Sequence, residues 1–524
     1  MPDSLNISTG NALYDGLPGV VTGFLRQDVS EIPFGGKVVR GYRSPDSVSV
    51  WLRDHTHQMK GFKYFEKDMV SAVDFFCASQ QPNGEVFDYL APSGVTSREP
   101  PESDVEYLLV EAVYGAWQAT GDDDWMRGKI PALRRALYYS MSHPHRWSPE
   151  YRMVKRPFTI DTWDFIYNPD GVFGFTGYKT IDANTTFHIM HGDNTGMCQS
   201  CRLLAAMLDR LGIVGEAEYW RDKAAHFRKK VAEVCWNGRF LRHMVHLDPV
   251  NVQGVNEDDQ LSLSNAYALN RGVLDHAQCA AIIEEYQRRR QALAGEYFAE
   301  WFSIHPPFPP HSFYSSKNPG TTWTKNPGEY VNGGILPLVG GELAKGAFEN
   351  GFEEYGWDIL RRYAKMVNDT GKGYLWYHPD GTPGVSSKTT LATDGWGGAA
   401  MLSALIEGGA GIRDLDARFR RVRLAPRWAA AGIHRASVSV GYGASDAGFA
   451  YDYQSAAEGL TIAWRSAAES VDFHVLLPDD KTNLVVKLNQ KTDVPFTSSF
   501  VRASRYLDFT AHCPDGLICI SWNG

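Results

Sequence analysis

Apolar positions recur with helical spacing through most of residues 46–411 and alternate in short runs after Pro426. The 3.6-residue pattern predicts helices over about 66–80, 104–121, 125–142, 193–212, 215–235, 258–270, 275–291, 334–350, 355–369 and 394–411, with a short helix beginning at Asp54. The later runs ASVSVGYG, GFAYDYQ, LTIAWRS, VDFHVLL, NLVVKLN and LICISW are separated by Gly, Asp, Ser and Pro, the spacing of an antiparallel β-sandwich. Residues 1–45 read as turns and short strands, GVVTGFL and KVVRGY among them. The expected organisation is therefore an N-terminal segment over 1–45, a helical domain over 46–412 and a C-terminal β-sandwich over 413–524.

Loop lengths sharpen this picture. Short connections follow the helices starting at 104, 193, 258 and 334, while the connections 81–103, 143–192, 236–257, 292–333 and 370–393 are long. Loops of that length inside a compact domain are usually functional. In an up-down array every second loop lies at the same end, so the long ones gather on one face, above six helices starting near 54, 104, 193, 258, 334 and 394. That describes a mainly α fold, an (α/α)6 toroid with one elaborated face. A repeat solenoid is the rival, and no fixed period supports it.

Composition narrows the function. The 524 residues carry Lys+Arg 52 against Asp+Glu 61, a net charge of −9, with no basic face for nucleic acid. No apolar run reaches the roughly 20 residues of a membrane helix, and the polar start Met1–Gly10 has no leader pattern. Cys77, Cys198, Cys201, Cys235, Cys279, Cys513 and Cys519 form an odd, scattered set, read as reduced thiols of a cytoplasmic protein. The pair Cys198/Cys201 lies within a helical pattern and reads as one buried and one half-buried thiol rather than a zinc or redox site. Aromatics reach 13%, which suits stacking against sugar rings as well as a bulky core.

The unusual chemistry lies in the long loops and the helix starts beneath them. Trp51, Arg53 and Asp54 can stack on a sugar and grip its hydroxyls, or serve as a core ring, a surface cation and a helix cap. Asp164, between Trp163 and Phe165, has the apolar surroundings that keep a carboxyl protonated as a general acid; Asp161, Asp170, Asp182 and Asp193 compete with it. Glu329 lies just before Gly333-Gly334, read as the opening of a helix, where a carboxylate stays ionised and can act as a base. Trp301, Phe308, Phe313, Tyr314 and Trp323 suggest a subsite wall or else a Pro-ordered lid, and Asp394 caps the helix that carries Trp396. Two carboxylates at the mouths of different helices are what glycoside hydrolysis requires.

These residues resemble known motifs. Val50-Trp51-Leu52-Arg53-Asp54 resembles the W-x-R-D element of (α/α)6 glycosidases: glucoamylases, the processing α-glucosidase family and exo-α-mannosidases. Thr162-Trp163-Asp164-Phe165 looks like the trehalase G-W-D-F/Y element and the glucoamylase L-W-E-E element. Gly328-Glu329-Tyr330 with Asn332-Gly333-Gly334 is similar to the trehalase G-E-Y segment and to the N-G-G-x-x-P of invertase-like and debranching enzymes. Asp394-Gly395-Trp396, running through Glu407-Gly408 to Leu424-Ala425-Pro426-Arg427-Trp428, resembles the toroid-to-sandwich junction of α-L-rhamnosidases. The acidic run carrying the rhamnosidases' general acid is absent, as are trehalase's other arginine signatures.

The resemblance implies Asp164 as acid and Glu329 as base, with Trp51, Arg53, Asp54, Trp163, Trp323, Asn332, Asp394 and Trp396 binding substrate. It implies an exo-acting, inverting hydrolase of a small α-linked glycoside, α-glucosidase-like or α-L-rhamnosidase-like. That chemistry calls for no metal or organic cofactor. The rivals are a polysaccharide lyase using His55, His57, His188, His191 or His311, a phosphorylase, and a sugar-binding protein without activity.

Overall fold

The computed structural model describes residues 5–157, 159–163, 181–183, 185–248, 252, 254–310, 312–313, 326–386, 390–478 and 481–523. Helices dominate up to Ser403 with short strands among them, and strands dominate after Gly411. Among the described residues the α-helices are α1 (Ala12–Gln27), α2 (Leu52–Phe62), α3 (Ser71–Ala78), α4 (Val105–Thr120), α5 (Asp123–Ser140), α6 (His191–Arg210), α7 (Val214–Val234), α8 (Ser264–Ala268), α9 (His276–Ala292), α10 (Pro337–Glu349), α11 (Glu353–Thr370) and α12 (Gly395–Ser403). None is long and apolar enough to cross a membrane.

The even-numbered helices form a closed inner ring, in which α2 packs on α4, α4 on α6, α6 on α8, α8 on α10, α10 on α12, and α12 back on α2. Such helices are buried on all sides, so α2 hides even Asp54, His55, Thr56, His57 and Gln58. Close approach demands small residues. A Cβ on Gly341 would sit 2.5 Å from the Ala400 backbone, so α10 and α12 touch main chain to main chain there. The C-terminal halves of the inner helices surround an axial cavity of about 650 Å³, lined by charged groups including Lys60, Glu111, Arg271, Glu342, Lys345 and Glu407. It lies at the end opposite the long loops.

Two expectations fail in the helical layer. GVVTGFL is not a strand: it forms the second half of α1, which packs on α11 and α12. Pro18 and the glycines 16, 19 and 23 hide this helix from a propensity reading. Its packing supplies the stability instead. Tyr14 meets Trp357 at 4.9 Å, and Asn368 Nδ2 donates to the Leu13 carbonyl at 3.1 Å. The helix expected over 258–270 shrinks to α8, because Leu261–Ser262 leaves as a strand paired with Ile304–His305.

After α12 the chain makes a π-helical turn over Ala404–Gly409 and enters two facing sheets. The larger has Arg435–Gly441, Gly448–Ala456, Gly459–Ser466, Asp515–Asn523 and Thr482–Leu488 in that order, with Leu5–Ser8 at one edge and Thr492–Asp493 at the other. The smaller orders Ile412–Asp414, Arg421–Leu424, Ser470–Leu476, Ser504–Ala511 and Thr497–Val501. Alternation buries one face of each, and Trp464 of the first meets Phe473 of the second at 5.2 Å. The sandwich is not wholly antiparallel, since Arg421–Leu424 runs parallel to Ser470–Leu476. Arg427 locks it to the helices: buried, it donates to the Gly408 carbonyl at 2.7 Å, to Glu349 at 3.1 Å and to the Tyr506 hydroxyl at 3.3 Å.

Candidate active site

The long connections lead into the N-termini of the inner helices, and their aromatic side chains meet there. The indole of Trp163 lies edge-on to Tyr330 at 5.5 Å and 6.2 Å from the ring of Trp396. Tyr330 stacks on Trp376 at 5.9 Å, while Trp396 stacks on His57 at 4.8 Å and donates its N–H to the Tyr267 hydroxyl at 3.0 Å. Trp163 and Trp396 were expected at a binding site; Tyr330, Trp376, His57 and Tyr267 join them in one buried aromatic cluster, each ring at most 6% exposed. Trp51 stands apart at the rim, half-buried, packed on Tyr89 at 4.6 Å and bonded to Ser47 Oγ at 2.8 Å. Its two-residue strand pairs with Tyr89–Leu90.

Glu329 sits in this neighbourhood, half-buried, with Oε2 accepting from the Asn326 amide at 2.9 Å. It does not precede a helix directly. Pro337 starts α10 eight residues later, so Gly333-Gly334 closes a tight loop instead. The Gly334 amide donates to the Tyr330 carbonyl at 3.0 Å, and a Cβ on Gly334 would lie 2.5 Å from the Tyr330 amide nitrogen. Ser303 Oγ donates to that carbonyl at 2.8 Å and accepts from the Gly333 amide at 2.9 Å. Tyr330 itself holds a left-handed φ of 37°, so Glu329 lies beside a strained residue.

The turn before Asp164 is held as tightly. Asp161 is 1% exposed and accepts from Ser262 Oγ and Ser264 Oγ, both at 2.8 Å, and from the Ser264 amide at 3.1 Å. Its burial works against the charge, but His191, His243 and the two serines win and hold its pKa below the ordinary value. Ser262 spends its only proton on Asp161, so it must accept from His191 Nε2 at 2.8 Å, which fixes that tautomer. The Asp161 amide donates to His243 Nε2 at 3.2 Å, leaving the His243 proton on Nδ1. Asp161 is thus an ionised strut, and it no longer competes as the proton donor. Thr162, which follows, is β-branched yet has a φ of 74°. Asp164 and Trp323 lie outside the described residues, as do Asp170, His311 and Tyr314.

Other candidates take unexpected partners. Arg53 was expected at a sugar, but it is 4% exposed and enters a buried ion network. It donates to both oxygens of Asp104 at 2.7 Å and also pairs with Glu102. Those partners lie 49 and 51 residues away, too far for local spacing to reveal. Asn332 is buried and clamps the Phe308 backbone, accepting at 2.7 Å and donating at 3.1 Å. Trp301, Phe308 and Phe313 are buried in the core cluster. His55, His57, His188 and His191 are each at most 2% exposed. Cys198 and Cys201 are buried thiols, the first with a pKa raised to about 11 by burial.

Three buried carboxyls share one behaviour. Burial raises Asp54 to about 7 against the pull of Arg53, Asp193 to about 7 against Arg156, and Asp394 to about 7 against the Gly397 amide. Asp394 caps α12 through that amide at 3.1 Å, and its Oδ2 has no hydrogen-bond partner among the described residues. Among the described residues no His/Cys/Asp/Glu group is arranged to hold a metal.

The histidines give this region a pH signature. Burial drives His191 down to about 4 and His243 to about 3, although Asp161 pulls both upward. Folded values below the ordinary 6.5 mean their contribution to stability is complete above about pH 6.5 and drains away on acidification toward 4. Denaturant unfolding at pH 7 and pH 5 should show an acid loss that is smaller in His243→Asn. Parallel losses in variant and parent would rule the imidazole out as its source.

No protein-family model and no curated protein matches the sequence. Among solved structures, the chain is similar to an α-L-rhamnosidase from Dictyoglumus thermophilum, at TM-score 0.62 and 10% identity over 99% of this chain and 50% of that one. It is similar to the Streptomyces avermitilis α-L-rhamnosidase complexed with L-rhamnose, at TM-score 0.60 and 13% identity over 99% and 42%. It is also similar to a rhamnosidase of Bacillus sp. GL1, at 0.59 and 15% over 90% and 43%. The chain spans half, or less, of the length of these proteins. At such identities the likeness shows a shared fold, one of (α/α)6 type.

Proposed function

We propose that this protein is an exo-acting, inverting glycoside hydrolase that cleaves a small α-linked glycoside. Asp164 donates a proton to the leaving oxygen, and Glu329 takes one from the water that attacks the anomeric carbon. Protons balance between the two carboxyls, so neither a metal nor a cofactor enters. The observation that carries the reading is the contact of Trp163 with Tyr330. It joins the residue before Asp164 to the residue after Glu329, and each candidate has a strained, left-handed residue within two positions. Trp163, Tyr330, Trp376 and Trp396 would receive the sugar, and Asp54 and Asp394 its hydroxyls, with Trp51 at the rim and Trp323 from the same long loop as Glu329. Seven unpaired cysteines suit a reducing, cytoplasmic setting.

The α-glucosidase-like reading rests on the motifs. The fold shared with rhamnosidases, one of them holding L-rhamnose, favours an α-L-rhamnoside as the second reading. Both are tested by turnover of nitrophenyl α-glucosides, α-mannosides and α-L-rhamnosides and of natural disaccharides, with NMR of the first-formed anomer. Inversion gives the opposite anomer first. Sugar binding without turnover across the panel would leave a binding protein, and activity only with phosphate present a phosphorylase.

A further inference from the structure

The axial cavity of about 650 Å³ lies at the end of the ring away from the candidate active site, and its wall carries charges of both signs. Most of them are committed to one another. Glu342 is buried, takes the Lys60 ammonium and accepts from Asn270 Nδ2 at 2.8 Å. Glu407 takes Lys345 and accepts from Lys63 Nζ at 3.0 Å. Buried Arg271 donates to the Gly192 carbonyl at 2.9 Å and to Thr195 Oγ1 at 3.0 Å. Two wall residues differ. Thr56 of α2 and Glu111 of α4, the helix packed against it, both line the cavity, yet Thr56 Oγ1 and Glu111 Oε1 have no hydrogen-bond partner among the described residues. Thr56 is 5% exposed and shares one stripe of α2 with Lys60 and Lys63, four and seven positions on. Burial raises the Glu111 pKa against the pull of Arg271 and Lys60. Tyr267 lines the same cavity and its hydroxyl takes the Trp396 N–H at 3.0 Å, so the cavity ends where the aromatic cluster begins.

We propose that this cavity is a second binding site, separate from the candidate active site, for a small neutral polyol of monosaccharide size that bonds to Glu111 and Thr56. Small ligands occupy clefts of about 300–1,000 Å³, so the volume is suitable. An unpaired buried carboxyl and hydroxyl cost stability that a purely structural wall has no reason to spend. Hydroxyl groups answer both, because each can donate to Glu111 and exchange a hydrogen bond with Thr56 while accepting from the ammonium groups nearby. The mixed wall also sets the charge of the ligand. An anion would meet Glu111, Glu342 and Glu407, and a cation would meet Lys60, Lys63 and Arg271, each against its own sign. Neither Glu111 nor Thr56 has a role in the hydrolysis proposed above, so the site stands or falls apart from it.

The test is calorimetric titration of the full chain with glycerol, myo-inositol, D-glucose and L-rhamnose, in the parent and in Glu111→Met, Thr56→Val and Glu329→Gln. At least one of these polyols should bind the parent with a millimolar or lower Kd. Glu111→Met should weaken that binding about 10- to 100-fold and Thr56→Val about fivefold, the losses expected for a charge-assisted and a neutral hydrogen bond. Glu329→Gln, at the other end of the ring, should leave it unchanged. The melting temperature of Glu111→Met should hold or rise, since the carboxyl it removes has no partner at Oε1, and Thr56→Val decides the matter should Glu111→Met fail to fold. No heat from any of the four polyols in the parent overturns the site. Binding that survives both cavity variants, or is lost only in Glu329→Gln, places the ligand elsewhere and overturns it equally. Serine, a zwitterion, is titrated alongside: Glu111-dependent binding of serine with none of any polyol overturns the neutral class. Turnover of glycosides, or its lack, alters none of these outcomes.

Discussion

Asp164→Asn and Glu329→Gln each lower kcat by two or more decades while the melting temperature stays within a few degrees. Both changes keep side-chain shape and remove only the capacity to exchange a proton, and positioned acid or base catalysis contributes about 10²–10⁴-fold. The two losses differ in form. Asp164→Asn should respond to leaving-group acidity, because a good leaving group departs unprotonated, while Glu329→Gln should lose similar activity on every substrate, because the attacking water is the same. Initial rates on aryl glycosides of graded leaving-group acidity, with circular dichroism to confirm folding, measure both. Near-normal turnover in either variant transfers that role to another carboxyl. Asp161 is a poor replacement, since its oxygens are taken by Ser262 and Ser264 and it stays ionised.

The largest effect on stability should come from Asp161→Ala. The carboxylate is the shared acceptor for two serine hydroxyls and one backbone amide, all buried. Removing it strands three donors away from water, each costing about 1–3 kcal/mol, so a total of about 3–5 kcal/mol is expected after partial relaxation. Space for repacking is scarce, because a Cβ on the adjacent Gly192 would already fall 2.5 Å from both Asp161 Oδ1 and Ser264 Oγ. Denaturant unfolding should show a lower midpoint at an unchanged slope. A change below about 0.5 kcal/mol would mean that the hub is dispensable.

Helices α4, α6 and α10 were readable because each repeats an apolar pattern for three or more turns, and that pattern survives whatever the tertiary context adds. α1 was not, since Pro18 and its glycines suppress the local signal and the packing of Tyr14 on Trp357 supplies what propensity lacks. The strand Ser504–Ala511 was missed for another reason: SRYLDFTA does not alternate cleanly, yet it pairs along its length with Ser470–Leu476. At the site, aromatic residues were legible in kind and long-range ion partners were not. Arg53 next to Trp51 and Asp54 reads as a sugar ligand until Glu102 and Asp104 arrive from another loop to claim it. Arg156 gave no local signal, because its acceptors come from three separate places in the chain. Asn332 is a motif residue whose long-range bonds to the Phe308 backbone were equally out of reach of local spacing.

Leu5–Ser8 pairs with Arg435–Gly441 across more than 400 intervening positions, and α1 follows it directly into the helical ring. A cut near residue 411 therefore does not yield two clean modules. The C-terminal fragment would expose a bare row of amides and carbonyls along Arg435–Gly441, an open template for self-association. Grafting this β-unit onto another scaffold would succeed only if the graft carried its own substitute for those four residues.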